Sequence, residues 1–289
     1  MRVLLWAVFG IIVSTAGALA AGRLRWHLLT RRLFGRLETS CSREPSTLSD
    51  ASGLEALPQP VRSYLHNALK PGQPRIAAVE IETEGTFNTG DATDTWKPFQ
   101  ARQRAITSRP GFVWNGAISL FPGVAMRVHD AYIAGEGFLR PSIAGVMDLV
   151  NLRGAGEIAR GELMRFLAEA PWYPTALLPE EGVAWQPLSA QAAIATLQDH
   201  DSTVSLTFRF SHDGMISSIR SEARGRTVGG QMVPTPWEGR WWDYALQNGM
   251  CVPRRGEVAW ILPERAKPYW RGRVTRISYR FRAGRRRSD

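Results

Sequence analysis

Three charged side chains and an aromatic pair in residues 160–182 form the stretch of this sequence best suited to chemistry. Glu162, Arg165 and Glu169 lie three and four residues apart, which puts them on one side of a helix. Trp172 and Tyr173 follow between two prolines. Carboxylates beside a guanidinium could transfer a proton or bind an anion, and the aromatic rings could line a pocket mouth. The alternative is a solvated run of ion pairs on a helix surface.

A glycine pattern and three histidine–aspartate pairs could indicate cofactor or metal sites, but their context argues against both. Residues 154–159 match the dinucleotide fingerprint, which requires a parallel βαβ unit that the neighbouring sequence does not predict. A metal needs convergent ligands, and two of the three pairs look like turns or loops. The pairs are His129-Asp130, His200-Asp201 and His212-Asp213. The sequence therefore predicts no cofactor and no metal site.

Strand signals dominate the chain after residue 75, so a sheet must position these side chains. In residues 75–87, Val79 and Ile81 alternate with Glu80 and Glu82. Most strands follow one another without an intervening helix, which predicts an antiparallel meander of about ten strands that curls. Asp213-Gly214 and Asn248-Gly249 are the clearest turn pairs. The candidate strands are 75–87, 95–107, 111–119, 123–134, 183–187, 190–198, 203–210, 214–222, 237–246, 250–262 and 268–282.

Two helices are predicted within this sheet domain. One spans 60–69 with Pro60 in its first turn, and the other spans 155–170 and ends at Pro171. The second helix has one apolar stripe, formed by Leu163, Phe166, Leu167 and Ala170. The predicted fold class is α+β: an N-terminal transmembrane helix, then a curled antiparallel half-barrel with one main helix packed on its concave face.

The eleven tryptophans are the most unusual feature of the composition. Trp237 and Trp241 fall on one face of their strand, because residues two apart share a face. Tryptophan often lines pockets, although a plain role in the sheet core is the alternative. The predicted ligand-binding residues are Arg165, Glu169, Trp172, Tyr173, Trp114, Trp237, Trp241 and Trp260.

The N-terminal segment predicts membrane attachment. Residues 3–22 carry no charge, and as a helix they would span about 30 Å, the thickness of a hydrocarbon core. Ala18-x-Ala20 resembles a signal-peptidase site. Five arginines between residues 23 and 36 instead favour a retained single-pass anchor in the inner (cytoplasmic) membrane with the body in the cytoplasm. An extracytoplasmic body or a cleaved signal peptide is the alternative.

The anchor continues into a basic segment with an apolar stripe. Trp26, Leu29, Leu33 and Leu37 recur every three or four residues, which indicates either a helix lying on lipid headgroups or a simple helical extension. The predicted organisation is an anchor and basic interfacial helix (1–37), a polar linker (38–56), a single antiparallel-sheet domain (57–284) and a basic tail (285–289).

The charge distribution favours lipid over nucleic acid as a partner. The net charge is +10, but residues 43–284 hold 27 basic and 24 acidic side chains, a balance of only +3. The excess flanks the apolar segment and forms the tail, which suits contact with anionic lipid. Cys41 and Cys251 are too few for a disulfide framework, although one long-range disulfide is compatible with them. The oligomeric state is left open.

Several stretches resemble an uncharacterised bacterial family, DUF6544 (formerly DUF6920), a membrane-anchored family of unknown function. The resemblance runs from about Leu57 to Tyr279, and its most specific part is "RFLAEAPWYPTALLP". The matching positions there are Arg165, Leu167, Glu169, Trp172, Pro174, Thr175 and Leu178. The resemblance implies no activity. The inferred half-barrel with its helix also looks like the fold of bacterial lipoprotein carriers, which hold acyl chains in their concave face.

Three functions are compatible with these features. The leading hypothesis is a membrane-tethered binding module for a lipid or another hydrophobic small molecule. The second is an enzyme acting on a membrane-proximal substrate, with Glu169 or Asp130 as acid/base and Arg165 as an anion clamp. Asp130 and Glu136 could also act together as paired carboxylates in acid/base catalysis. The third is an assembly protein that binds a partner through its Trp-rich strands.

Overall fold

The computed structural model describes residues 1–41, 52–91 and 93–282. The helices are α1 Arg2–Thr39, α2 Ser52–Glu55, α3 Gln59–Ala68 and α4 Glu157–Ala168. Three 3₁₀ turns follow α4: Ala170–Trp172, Pro174–Leu177 and Pro179–Glu181. The helices predicted at 60–69 and 155–170 are therefore present. Most of the predicted linker and the whole predicted basic tail lie outside the described residues.

All the strands belong to one antiparallel sheet, whose order is β6-β5-β4-β3-β2-β1-β14-β13-β12-β11-β10-β9-β8, with β7 paired to β5. The first and last strands meet in its middle, since Ile76 pairs with Phe281. The strands are β1 Ile76–Asn88, β2 Trp96–Ile106, β3 Gly111–Phe121, β4 Val124–Ile133, β5 Glu136–Ile143, β6 Met147–Asp148, β7 Leu152–Gly154, β8 Val183–Ser189, β9 Ala192–Asp199, β10 Ser202–Phe210, β11 Ile216–Val228, β12 Gln231–Gln247, β13 Met250–Ile261 and β14 Ala266–Phe281.

The topology explains why α4 lies on the concave face. β6 and β8 are the two edges of the sheet, and the chain between them contains α4. The helix packs against β4 and β5 from one half of the sheet and against β10 and β11 from the other. A sheet that touches one helix from both halves must curl around it. The predicted α+β class, with a curled antiparallel sheet and one helix on its concave face, is confirmed.

Three strands, β5, β6 and β7, were not predicted from the sequence. The segment Glu136–Ile143 forms β5 although Pro141 lies within it, and proline weakens a strand prediction because it cannot donate a ladder hydrogen bond. β6 and β7 are only two and three residues long, too short to show alternation. β12 begins at Gln231, six residues before the predicted start.

The second half of α1 packs against the convex face of the sheet. The Trp26 ring stacks on the His129 ring with a centroid separation of 3.8 Å and an interplanar angle of 4°. The indole Nε1 of Trp26 donates to Asn115 Oδ1 at 2.9 Å, and Thr30 Oγ1 lies 2.7 Å from His129 Nε2. Burial, then the nearby positive Arg140 and Arg127, lower the pKa of His129 to about 3, so the ring is neutral at pH 7.

This docking uses the apolar stripe that the sequence shows after residue 22. Trp26 and Leu37 are fully buried, and Leu37 joins a small core with Ile106, Val113 and Ala131 on the convex face. Leu33 packs on the same cluster. The stripe therefore contacts protein, while Arg23, Arg31 and Arg32 on the other sides of the helix are exposed. The first half of α1 is long and apolar enough to cross a membrane and is not buried against the domain.

The two cysteines do not form the disulfide that the sequence left open. The Cys251 thiol is free, and both Cys41 and Cys251 are half-buried. Cys41 Sγ lies 3.0 Å from Ser108 Oγ, so it belongs to the contact between the end of α1 and the β2–β3 turn.

We predict that Trp26→Ala releases residues 23–39 from the sheet. The change removes the stacking on His129 and a fully buried side chain, and truncation of a large buried aromatic costs about 3–5 kcal/mol. Hydrogen exchange of the detergent-solubilised chain should show loss of protection in this part of α1. Leu28→Ala is the control, because Leu28 lies on the exposed side of the same helix. Equal protection of α1 in both variants would contradict the docking.

Candidate functional site

A cavity of about 400 Å³ lies between α4 and the concave face of the sheet. Its walls are mostly apolar, and they include five tryptophans from three strands and one turn: Trp114, Trp172, Trp237, Trp241 and Trp270. A volume of this size and an apolar lining with a few polar groups are typical of small-molecule sites.

Glycines on the strands set the shape of the cavity wall. Trp114, Trp237 and Trp270 each precede a glycine by two residues, so tryptophan and glycine share a strand face. The ring of Trp114 covers Gly116, and the ring of Trp270 covers Gly272, where a Cβ would overlap the indole. These rings can therefore lie along the wall, and space remains above them.

Trp241 follows the same rule across two strands. It pairs with Gly256 of β13, where a Cβ would lie 2.7 Å from the Trp241 ring. Trp241 also packs edge-to-face on Trp172, with ring centroids 4.7 Å apart. The indole Nε1 of Trp172 donates to the Pro253 carbonyl at 3.1 Å, which fixes the turn after α4 to β13. The aromatic wall is thus continuous between the sheet and the end of the helix.

Arg165 forms the polar base of the cavity. Its Nε donates to Glu169 Oε1 at 2.7 Å, and its Nη1 donates to Asp130 on β4. Gln103 of β2 donates from Nε2 to Glu169 Oε2 at 2.5 Å. The three charged side chains are only 12–16% exposed. These bonds connect α4 to β2 and β4, and the guanidinium also lies 5.3 Å from the Trp114 ring centroid.

A second arginine and a buried acid complete this base. Arg224 of β11 places Nη2 3.6 Å from Glu162 Oε1, and its guanidinium lies 4.8 Å from the Trp237 ring centroid. Burial, then the charge of Asp130, raise the pKa of Glu162 well above its ordinary value, although Arg224 and Arg165 act in the opposite direction. Arg165 and Arg224 therefore face three carboxyl groups, those of Asp130, Glu162 and Glu169, within one buried cluster.

The carboxylates also act on Arg165. Burial alone would lower the pKa of this guanidinium, but Glu169, Asp130 and Glu162 together raise it above its ordinary value. Arg165 therefore stays charged at every accessible pH. Because it is bonded to both Glu169 and Asp130, Arg165 holds α4 against β4.

Six of the eight residues predicted as ligand-binding line the cavity: Arg165, Glu169, Trp172, Trp114, Trp237 and Trp241. Tyr173 is fully buried and donates from its hydroxyl to the Phe166 carbonyl at 2.6 Å, so it supports the turn after α4. Trp260, the cross-strand partner of Trp237, stacks on Tyr269 with a centroid separation of 5.8 Å and lies beside the cavity lining.

Sequence reasoning missed Trp270, Tyr269, Gln103 and Arg224 in the cavity wall. Trp270 carried a readable signal, because Trp270-x-Gly272 repeats the spacing of Trp114-x-Gly116. Arg224 carried none. It reaches the cavity next to an irregularity in the β11–β12 pairing, between Ser221 and Arg224, and such irregularities re-aim side chains.

The remaining sequence motifs have structural roles. Gly154 ends β7, which pairs antiparallel with β5, so the parallel context of a dinucleotide site is absent from this described segment. Among the described residues, no three His, Cys, Asp or Glu side chains group as metal ligands. Asp130 points into the cavity, whereas Glu136 Oε2 accepts from Arg36 of α1 at 3.0 Å. These two carboxylates therefore do not form an acid/base pair.

We predict that Glu162→Gln removes a pH-dependent loss of stability. A pKa raised by folding contributes stability below the unfolded value, and this contribution is lost as pH rises through the folded value. The wild-type chain should lose up to about 1.4 kcal/mol per pH unit above the unfolded pKa of Glu162, relative to Glu162→Gln. Thermal unfolding at a series of pH values measures this difference.

Glu157→Gln is the matched control, since Glu157 lies on the same helix with its side chain 60% exposed. Its unfolding should keep the wild-type dependence on pH. If Glu162→Gln also kept that dependence, Glu162 would not be the buried acid that titrates.

Two solved structures are distantly similar to this chain. A LolA superfamily protein from Nitrosomonas europaea is 10% identical, with a TM-score of 0.39 over 81% of this chain and 94% of its own. A domain assigned by its name to outer membrane lipoprotein sorting, from Vibrio parahaemolyticus, is 9% identical, with a TM-score of 0.40 over 79% and 92%. No curated protein matches the sequence.

The family resemblance noted in the sequence is supported by a direct match. The matching family model is DUF6920, a family of unknown function, and it covers residues 55–279. This range includes α3, α4, the whole cavity wall and every strand except the last two residues of β14. The chain therefore belongs to DUF6920, a family of unknown function.

Proposed function

We propose that this protein is a membrane-tethered binding module that holds a lipid or another hydrophobic ligand in the cavity beneath α4. The observation that carries the proposal is the cavity of about 400 Å³ with five tryptophans in its wall. An apolar ligand gains free energy by leaving water for such a wall, at roughly 25 cal/mol per Å² of buried apolar surface.

The position of the tryptophans favours this role over an assembly function. A partner-binding surface would expose aromatic side chains as a patch. Here Trp114, Trp172, Trp237 and Trp241 are at most 6% exposed. Trp242, on the opposite face of β12, is the one tryptophan of the described sheet domain among the exposed large apolar side chains.

An acid–base enzyme is the second candidate, because Asp130, Glu162 and Glu169 meet two arginines at the cavity base. Burial holds the pKa of Glu162 well above its ordinary value, which is also how enzymes prepare a carboxyl as a general acid. However, Arg165 is bonded on two sides to protein carboxylates, which leaves its guanidinium poorly placed to clamp an anionic ligand. The structure therefore favours the binding function over the enzymatic one.

The proposed location is a single-pass anchor in the inner membrane with the domain in the cytoplasm. The arginines after residue 22 support this side by the positive-inside rule. Ala18 and Ala20 lie inside the continuous helix α1, and α1 is clamped to the domain at Arg25, which donates to the Gly145 carbonyl at 2.6 Å. A retained helix would thus join the membrane to the sheet rigidly.

The binding proposal predicts that the purified chain carries a ligand and that cavity volume controls binding. Native mass spectrometry of the detergent-extracted chain, followed by lipid extraction, should detect a bound amphiphile. A brominated fatty acid should quench the tryptophan emission, because five indoles line the cavity. Gly116→Ala and Gly272→Ala should weaken this quenching several-fold, since each Cβ pushes an indole into the cavity.

Gly161→Ala is the control for these glycine variants, because a Cβ at this position of α4 meets nothing within 4 Å. Its quenching curve should match that of the unchanged chain. A chain that carries no amphiphile and shows no saturable quenching would overturn the binding proposal.

The anchor proposal predicts an uncleaved chain. The intact mass of the protein purified from membranes should be near 32.2 kDa, with residues 1–20 present. A protease added to intact inner-membrane vesicles with the cytoplasmic side outward should digest the domain. A mass lacking the first 20 residues would show a cleaved signal peptide, and protection in these vesicles would place the domain on the other side.

A further inference from the structure

We infer that one end of the sheet, with the mouth of the cavity, inserts into the surface of the bilayer beside the anchor. The inference rests on the proposed membrane tether. It adds a second membrane contact, made by the turns at this end of the sheet, and it assigns the direction from which the ligand enters.

Strand pairing, together with the contacts of Arg226 and Lys267 with Asp91 in the β1–β2 turn, places several hairpin turns at the same end, here called the anchor end. They are the turns that follow β1, β3, β5, β11 and β13, closed by the pairs Asn88–Trp96, Phe121–Val124, Ile143–Met147, Val228–Gln231 and Ile261–Ala266. The Asn248-Gly249 turn and the β4–β5 turn lie at the opposite end, since they close the other ends of the same strands.

Helix α1 leaves the domain at the anchor end. A Cβ on Gly22 would lie 2.5 Å from Val146 Cγ2 and 2.9 Å from the Ala144 carbonyl oxygen. A Cβ on Gly145, whose φ is +74°, would in turn lie 2.6 Å from the Gly22 carbonyl oxygen. Two glycines thus allow the helix and the β5–β6 turn to touch backbone to backbone.

This contact fixes the position of the β5–β6 turn along the axis of α1. Arg25 donates from Nη1 to the Gly145 carbonyl at 2.6 Å and from Nη2 to Asp148 Oδ2 at 2.5 Å. The uncharged residues 3–22 end at this same level. A bilayer that contains these residues must therefore bring its surface to the β5–β6 turn.

The side chains at that level are apolar and exposed. Residues 146–152 present Val146, Met147, Leu149, Val150 and Leu152 with 37–55% exposure, and Phe121 of the neighbouring hairpin is 61% exposed. The β11–β12 hairpin at the same end adds exposed Val228, Met232 and Val233. Elsewhere in the described domain, exposed large apolar side chains are isolated, as with Leu188, Trp242 and Leu246.

The charges just behind this apolar rim suit lipid headgroups. Arg127 of β4 lies on the convex face near Arg23 of α1, and burial followed by the repulsion of Arg23 lowers its pKa. Two like charges held together favour a shared anionic partner, such as the phosphates of a membrane surface. A membrane requires that the apolar rim and these arginines lie level with the end of the apolar helix. Binding to a protein partner or to a second copy would not require this alignment.

The rim is also the mouth of the cavity. Leu149 and Val150 line the cavity while being 48% and 42% exposed, whereas Gln103 and Trp114 at the opposite part of the wall are 3% and 5% exposed. The cavity therefore opens at the anchor end and closes at the charged base. A ligand from the bilayer would enter with its apolar part already out of water.

Spin labels at single cysteines test the insertion directly. Cys41→Ser and Cys251→Ser remove the native thiols, and labels are then placed by Met147→Cys at the rim, Ala16→Cys in the anchor and Leu246→Cys at the opposite end. The full chain is reconstituted in vesicles of phosphatidylethanolamine and phosphatidylglycerol. Labels at 147 and 16 should collide with oxygen and be shielded from a water-soluble nickel chelate, and the label at 246 should show the reverse.

The outcomes separate this inference from the tether on which it rests. A label at 147 that collides with the chelate, while the label at 16 does not, would overturn the insertion and leave the tether standing. Exposure of both labels to the chelate would overturn both. Shielding of 147 from both reagents would indicate a contact with protein and would also overturn the insertion.

A charge at the rim gives a second, functional readout. Met147→Asp, at the rim but outside the cavity wall, should slow the transfer of a brominated fatty acid from vesicles to the protein by about tenfold, with unchanged quenching at equilibrium in detergent. Leu246→Asp, at the opposite end, should transfer at the wild-type rate. Equal rates in the two variants would contradict loading through the bilayer-facing mouth.

Discussion

The ionic contacts of Arg165 are the constraint on which the concave side of this protein depends. The chain must cross from one sheet edge to the other, so α4 lies over the sheet and is buried on both sides. One side is apolar and packs normally. The other carries Glu162, Arg165 and Glu169, whose burial would be strongly unfavourable without partners. Asp130, Gln103 and Arg224 supply those partners. Loss of one partner from such a pair costs about 3–5 kcal/mol.

The buried ion pairs between α4 and the sheet also explain why a cavity is present. An apolar helix face would pack tightly on the sheet and leave no space, whereas the paired charges hold α4 at the length of their side chains. The tryptophans could have filled the remaining space, but Gly116, Gly256 and Gly272 let their rings lie along the wall. The apolar cavity thus follows from two local choices: charges on the inner side of the helix, and glycines beside indoles on the strands.

Much of this arrangement could be predicted from the sequence, for identifiable reasons. Alternation in β1 and β10 to β13 and the turn pair at Asp213-Gly214 were sufficient for the meander. The spacing of Glu162, Arg165 and Glu169 located one face of a helix, but spacing alone cannot distinguish a solvated face from one buried against a sheet. That difference arises from the sheet edges, which only the strand order reveals.

The position of Arg224 could not be predicted, because an irregularity in the β11–β12 pairing turns its side chain inward. Likewise, the stripe of Trp26 and Leu37 indicated one apolar partner without showing that the partner is the sheet.

The docking of α1 on the convex face links the two ends of the molecule. The helix runs from the contact of Gly22 with Gly145 to the burial of Leu37 beside Ile106, so it spans the sheet from the anchor end to the opposite end. With α4 on the other face, β3 and β4 are held between two helices. A flexible linker after the apolar segment would let the domain rotate freely above a membrane. A continuous helix fixed at both ends permits only the orientation in which the cavity mouth and the apolar segment point the same way, so the direction of the cavity follows from the packing of Trp26 on His129.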